Sequence, residues 1–282
     1  MNMYVIKNYL LKTIIYAVLI FYSIFTLLPL YWSVITSLKT AVELSEIPPT
    51  LIPINPTGYF YVDLFKMRHF GELIRNSIIV GSGNAVFSTI IGTFLGYGIS
   101  RLLTSRKTKD LMTILVVMFR MFPPLIMVIP YYIILSKLGL INTWFGLIIV
   151  YLTFGIPFAT WTMKGFFDEF PPEVEEAALI DGCSKFGAFL RITLPLLLPS
   201  IFVVLIFTFL YSWNEFLYAL ILTTTYDAQT VTIGVFATVS KWEIAWSKIA
   251  AAGVLSAIPV IIFFMIIRKY IIRGMTFGVM KG

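Results

Sequence analysis

The sequence predicts an all-α integral membrane protein with six transmembrane helices. Three observations carry that prediction. Hydrophobic residues make up 59% of the 282-residue chain and charged residues 12%, where a soluble domain is about a quarter charged. The apolar residues are gathered into runs long enough to cross a bilayer, for which roughly 20 residues suffice. Those runs are apolar on every face. They lack the alternation of barrel strands, and in lipid only helices and closed barrels satisfy the backbone.

The first span is expected over about Ile14–Ile35. Lys7 and Lys12 precede an uncharged stretch, Thr13–Leu38. It is longer than a signal-peptide core and no small-x-small cleavage site follows it, so it reads as a retained span. The second span lies between Arg75 and Arg101, at Ser77–Ile99. The third, fourth, fifth and sixth are expected at Leu111–Leu135, Trp144–Met163, Leu197–Leu220 and Ile249–Ile271. Pro123, Pro124, Pro130 and Pro157 predict kinks. The loop Lys39–Arg75 carries Pro48, Pro49, Pro53 and Pro56 and then an amphipathic stretch, Tyr59–Met67. The next external loop is a short turn around Gly139. The last external loop, Thr223–Lys248, holds Asp227, Trp242, Glu243 and Trp246; its tryptophans read as interfacial anchors or as a reach toward a partner.

Lys and Arg set the orientation. They concentrate at both ends of the chain (Lys7, Lys12, Arg268, Lys269, Arg273, Lys281), in the Arg101–Asp110 loop and in the Lys164–Pro195 loop. The positive-inside rule places these segments in the cytoplasm. The chain then divides into a cytoplasmic tail 1–12, a six-helix transmembrane domain 13–272 with a cytoplasmic segment 164–195, and a cytoplasmic tail 273–282. The net charge of +7 follows from this topology, so nucleic acid is not an expected partner and membrane lipid is.

The composition also excludes chemistry. A single cysteine, Cys183, leaves no internal disulfide and no cysteine metal cluster. A single histidine, His69, rules out an HExxH site. No GxxxxGK[ST] sequence occurs, so the chain has no P-loop for ATP. No catalytic residue, metal or bound cofactor is expected.

Glu173–Pro195 is an acidic, helix-forming island between apolar runs. Pro171-Pro172 suit the first turn of a helix. Glu173, Glu175 and Glu176 then lie where the helix dipole favours negative charge. Val174, Ala177, Ala178 and Ile180 give that helix a small-residue apolar side. Gly182 is placed to end it with positive φ, and Ser184 to cap a second helix. A helix lying on lipid headgroups would be rich in Lys and Arg. This one suits the cleft of a protein partner.

Ionisable groups inside spans are expensive and are functional candidates. Arg120 and Glu215, with Asn214 beside it, either line a path through the bundle or serve as structural glue. Tyr131, Tyr132, Trp161, Tyr211 and Trp213 offer ring faces to a ligand in such a path.

The spacing Glu176-Ala177-Ala178, three residues, Gly182, nine residues, Ile192-Thr193-Leu194-Pro195 resembles the EAA motif of ATP-binding-cassette importer permeases. Asn76-Ser77, Arg120-Met121-Phe122-Pro123-Pro124, Ile129-Pro130, Pro157-Phe158 with Trp161, Ile180-Asp181-Gly182, Trp213-Asn214-Glu215-Phe216 and the terminal Gly278–Gly282 are similar to the carbohydrate, MalG-type branch. Cys183 stands where that branch more often has alanine. The resemblance implies a type I importer permease fold with a cytoplasmic coupling helix. It implies ATPase-coupling roles for Glu175, Glu176, Ala177, Ala178, Asp181, Gly182, Ile192, Leu194 and Pro195. Its pathway candidates are Arg120, Trp213, Asn214 and Glu215. It further implies a second permease as a heterodimer partner, two ATPase domains that bind ATP and magnesium, an external solute-binding protein, and a sugar or oligosaccharide substrate. Alternatives are another small solute such as a polyol or glycerol phosphate, and an ion-coupled secondary transporter with Arg120 and Glu215 as coupling residues. An intramembrane protease fits poorly, since no histidine stands in any span.

Overall fold

The computed structural model describes residues 3–67, 69–239 and 245–276. Every regular element among them is helical. The helices are α1 (Met3–Leu38), α2 (Ala41–Leu44), α3 (Tyr59–Met67), α4 (Phe70–Tyr97), α5 (Arg106–Met121), α6 (Pro124–Lys137) and α7 (Trp144–Glu169). They continue with α8 (Pro172–Ile180), α9 (Lys185–Ala188), α10 (Leu194–Leu196), α11 (Leu198–Trp213), α12 (Leu217–Leu222), α13 (Val231–Phe236) and α14 (Trp246–Thr276). Two wide π-helical turns, Gly98–Leu102 and Phe189–Thr193, follow α4 and α9.

The apolar runs become spans in two different ways. Four are long helices: Leu11–Leu38, Phe70–Leu102, Trp144–Glu169 and Trp246–Ile266. The other two are broken. The third expected span is the pair α5 and α6, bent by 86° around Phe122-Pro123. The residue before a proline is pushed out of the α region, and Phe122 sits at ψ 124. The fifth is entered through a 73° bend between Lys185–Leu196 and Leu198–Trp213, with Pro195 and Pro199 flanking it. It also stops at Trp213, short of the expected Leu220, and restarts as α12. Pro130 and Pro157 lie inside continuous helices. Trp242, Glu243 and the terminal Gly278–Gly282, all singled out in the sequence, lie outside the described residues.

The chain forms two compact units. One comprises residues 1–68 and 235–257. Its α1 carries no buried residue across its most apolar stretch, so that surface is left to lipid or to another subunit. After α1 the chain is pinned by polar contacts. Lys39 donates to the Thr50 carbonyl and lies over the Trp32 ring. Glu43 accepts from Thr50 Oγ1 at 2.8 Å and from the Ile54 amide at 2.9 Å. Lys248 pairs with Asp63.

The other unit comprises residues 69–234 and 258–282, and it holds the predicted site. Its α4 and α7 pack at backbone distance. A Cβ on Gly92 would stand 2.4 Å from the Ala159 Cβ and 2.7 Å from the Thr160 nitrogen, so only glycine fits there. Small residues permit such approach between membrane helices. A polar ladder joins α4 to α11: Ser88 Oγ donates to Asn84 Oδ1 at 2.9 Å, and Asn84 Nδ2 to Ser212 Oγ at 2.6 Å. Asn76 and Ser77 form a clasp at the start of α4. Asn76 Nδ2 donates to the carbonyls of Tyr226 and Gln229, its Oδ1 accepts from Trp144 Nε1, and Ser77 Oγ accepts from the Val231 amide.

Candidate functional site

The breaks in the third and fifth spans open a cavity of about 790 Å³, within the range of small-molecule sites. Arg120 reaches it from the last turn of α5. Asn214 and Glu215 reach it from the gap between α11 and α12. Much of the remaining wall is aromatic: Phe122, Phe154, Phe158, Phe207, Tyr211 and Tyr218.

The two charges in the wall differ in their engagement. The Arg120 guanidinium lies 5.0 Å from the centre of the Phe158 ring. Among the described residues it makes no ion pair. Glu215 is held by three donors. Tyr151 Oη donates to Oε2 at 2.6 Å, the Tyr218 amide to Oε1 at 2.9 Å and the Ala219 amide to Oε2 at 3.2 Å. The carboxylate thus satisfies the first free amides of α12 where the dipole is positive. That explains the break: with a capping acid at Glu215, a new helix starts there without proline or glycine. The Thr232 hydroxyl holds the Glu215 carbonyl at 2.8 Å.

The segment between α7 and α11 is built around a second carboxylate. Proline starts α8 at Pro172, Gly182 at φ 88° turns the chain out, and Ser184 Oγ caps α9 by accepting from the Gly187 amide. Glu175 and Ala178 are buried, while Glu173, Glu176, Ala177 and Ile180 are exposed. Glu175 Oε1 accepts from Thr193 Oγ1 at 3.0 Å and from Arg101 Nε at 3.4 Å; Oε2 accepts from Tyr97 Oη at 3.4 Å. Arg101 also donates to the Phe170 carbonyl at 2.6 Å. Beside it, Asp168 accepts from Ser100 Oγ and Lys164 Nζ. Tyr97 packs on Phe189, ring centres 4.3 Å apart, and on Phe167.

With this geometry in view, residues 88–277 match the family model described as the binding-protein-dependent transport system inner membrane component. The chain belongs to this family. It is therefore a transport permease and a multi-pass membrane protein. The inner membrane ABC transporter permease protein YcjP of Escherichia coli (strain K12) is 33% identical over 95% of both chains. The trehalose transport system permease protein SugB of Mycobacterium tuberculosis is 34% identical over 92% of this chain and 93% of its own. The trehalose/maltose transport system permease protein MalG of Thermococcus litoralis is 33% identical, with the same coverage. A solved bacterial ABC transporter involved in the import of the acidic polysaccharide alginate superposes with a TM-score of 0.75 at 19% identity, covering 94% of this chain and 98% of its own. The architecture is the type I importer permease fold.

The permease fold sorts the residues expected from sequence. Arg120, Asn214 and Glu215 meet in one cavity. Trp213 does not join them: it is 3% exposed and stacks on Phe209 at 5.6 Å, because the helix turns it away from the wall that Asn214 faces. Of the rings expected to face a ligand, Tyr211 lines the cavity and Tyr131, Tyr132 and Trp161 do not. The phenylalanines of the wall were not anticipated, since nothing local distinguishes them from lipid-facing ones. In α8 the apolar side is divided: Ala178 packs inward with Glu175, and Ala177 and Ile180 point out. Glu176 and Asp181 are exposed, and Pro195 stands exposed just before the 73° bend. Ile192 is half-buried, and Leu194 packs against the core around Tyr97, Phe167 and Phe189.

Proposed function

We propose that this permease forms half of the path of an ATP-driven, binding-protein-dependent importer for a sugar or oligosaccharide. The observation that carries the reading is the two-faced helix α8. Its inner face is bound to α4 and to the approach to α11, which leaves Glu173, Glu176, Ala177 and Ile180 as a small, acidic outer face. That face suits the groove of a separate ATPase, and the absence of a P-loop makes such a partner necessary. Relatives named for trehalose and maltose transport, and a structural neighbour involved in alginate import, support a carbohydrate substrate. The aromatic wall supports it as well, since ring faces pack on the apolar faces of pyranoses.

In this reading both termini and the segment 164–195 are cytoplasmic, as the distribution of Lys and Arg requires. A second permease completes the cavity, an external solute-binding protein delivers substrate, and two ATPase domains bind ATP with magnesium. The chain itself hydrolyses nothing and holds no cofactor. Its pathway residues are Arg120 and Asn214, with Glu215 in the same wall as the carboxylate that starts α12, and its ATPase-coupling residues are those of the EAA segment. The spans form a bistable element whose two states are favoured by ligands on opposite sides.

Purification of the tagged chain in mild detergent tests the assembly. Recovery of a P-loop ATPase and a second permease is expected, and their reproducible absence would overturn the reading. Uptake by the reconstituted complex, measured with radiolabelled trehalose, maltose and an alginate oligosaccharide, tests the substrate class. A complex that moves none of them but moves glycerol phosphate would refute the carbohydrate reading.

A further inference from the structure

The motif that names the coupling segment begins at Glu176, yet Glu176 is exposed. The residue before it does the opposite. Glu175 is 9% exposed, and its two oxygens receive donors from two separate routes into the bundle. Tyr97 and Arg101 belong to the end of α4, and Thr193 to the approach to α11. Arg101 grips α8 twice, at the Glu175 side chain and at the Phe170 carbonyl that precedes it. Each route passes through a π-helical turn at this point. Gly98–Leu102 contains Arg101, and Phe189–Thr193 ends in Thr193. Such turns are uncommon and cluster at functional positions. Here they set the donors on the Glu175 carboxylate.

We infer that Glu175 is a positioning residue that latches α8 to α4 and to the root of α11, so that movement of the helix is passed to α4 and to the cavity-lining α11. This rests on the reading of the chain as an ATP-coupled permease. The two faces of α8 then divide the work: the outer face docks, and Glu175 transmits. A rigid body is needed because α8 has only nine residues and few contacts of its own. Without the carboxylate, Arg101 is left without a counter-ion and two hydroxyls without an acceptor. The helix stays on its partner but slips against the bundle.

The test uses the complex purified with its ATPase in lipid nanodiscs and requires no knowledge of the substrate. In a Cys183→Ser background, Asn214→Cys places a thiol in the cavity wall. Its maleimide labelling is read on this chain by mass spectrometry, with and without ATP and vanadate. The reference complex is expected to change its labelling rate about fivefold on trapping, as a shift between two populated states requires. Glu175→Ala is expected to keep the ATPase bound and to lose most of that change, as is Arg101→Glu. Combining Arg101→Glu with Glu175→Arg is expected to restore it, which a residue needed only for folding would not do. If Glu175→Ala does not accumulate, Tyr97→Phe with Thr193→Val removes the hydroxyl donors at constant volume and is expected to halve the response. A full response in either variant overturns the latch, and so does loss of the ATPase from Glu175→Ala. A reference complex with no ATP-dependent change would overturn the ATP-coupled reading itself.

Discussion

Glu175 is buried and Glu215 half-buried; each carboxylate has three donors, and they do opposite things. Glu175 receives only side chains, from residues 78, 74 and 18 positions away. Glu215 receives two backbone amides three and four positions ahead, and one distant side chain, Tyr151. The first binds separate helices together. The second mostly starts the helix that follows it. A charge in or beside the membrane is therefore not a functional residue by virtue of its charge. What matters is whether its partners belong to elements that must move together.

The largest effect expected lies at the end of the Glu175 helix. Gly182 holds φ 88°, and a Cβ there would meet no atom within 4 Å. A side chain is resisted by the left-handed backbone, which costs about 1–2 kcal/mol, and, on the docking proposed for the outer face, by the partner's groove. Gly182→Trp is expected to reach the membrane at wild-type level and to abolish ATP-driven uptake in the reconstituted complex. Normal uptake by that variant would remove this end of the molecule from transmission.

Much of this division was readable beforehand, and the unreadable part has physical causes. The bounds of α8, its start at Pro172, its end at Gly182 and the Ser184 cap follow from local chemistry, and local chemistry is what a sequence displays. The four long spans follow from length and apolarity. The 86° bend does not, because hydropathy carries no direction: Pro123-Pro124 announces a kink but not its angle. The break before α12 was hidden for another reason. Trp213-Asn214-Glu215-Phe216 contains no proline or glycine, and an acid in an apolar run reads as a pathway residue before it reads as a cap. Acid followed by an apolar stretch was the signal available. The inward turn of Glu175 could have been seen too, since it shares a face with Ala178, three residues on, opposite Glu176 and Ile180.

The comparison breaks most directly at Glu215. Glu215→Ala leaves the Tyr151 hydroxyl and two amides without an acceptor, at about 1–3 kcal/mol for each unsatisfied group. A large fall in the detergent melting temperature is expected. Glu215→Gln keeps acceptor oxygen toward α12, so its melting temperature should fall less and its uptake per folded complex should stay close to wild type. An intact melting temperature with lost uptake in Glu215→Gln would make this carboxylate a pathway residue and dissolve the contrast. Tyr151→Phe sharpens the same point at smaller size. It removes one of three donors, worth about 1.5–3 kcal/mol for a hydrogen bond to a charged group, and should lower the melting temperature less than Glu215→Ala without changing uptake per ATP.

Glu43, on α2 in the other unit, is a third carboxylate and holds the loop that follows in a cap-like way. Burial raises its pKa, but the Ile54 amide, the Thr50 hydroxyl and the Asn55 backbone outweigh burial, with Lys39 adding a smaller pull, and hold it below the ordinary 4.5. The sign follows from linkage. A carboxyl with a depressed folded value contributes stability that is fully present above 4.5, its value when unfolded, and that is lost as pH falls through the lower folded value. Wild type should therefore melt above Glu43→Gln at neutral pH, with the gap closing only as the medium is acidified below 4.5. A gap that is already closed at neutral pH would show that the Thr50 and Ile54 contacts hold this loop as well with an amide as with a carboxylate. The effect is the smallest of the set, because one loop is ordered by it and no helix depends on it.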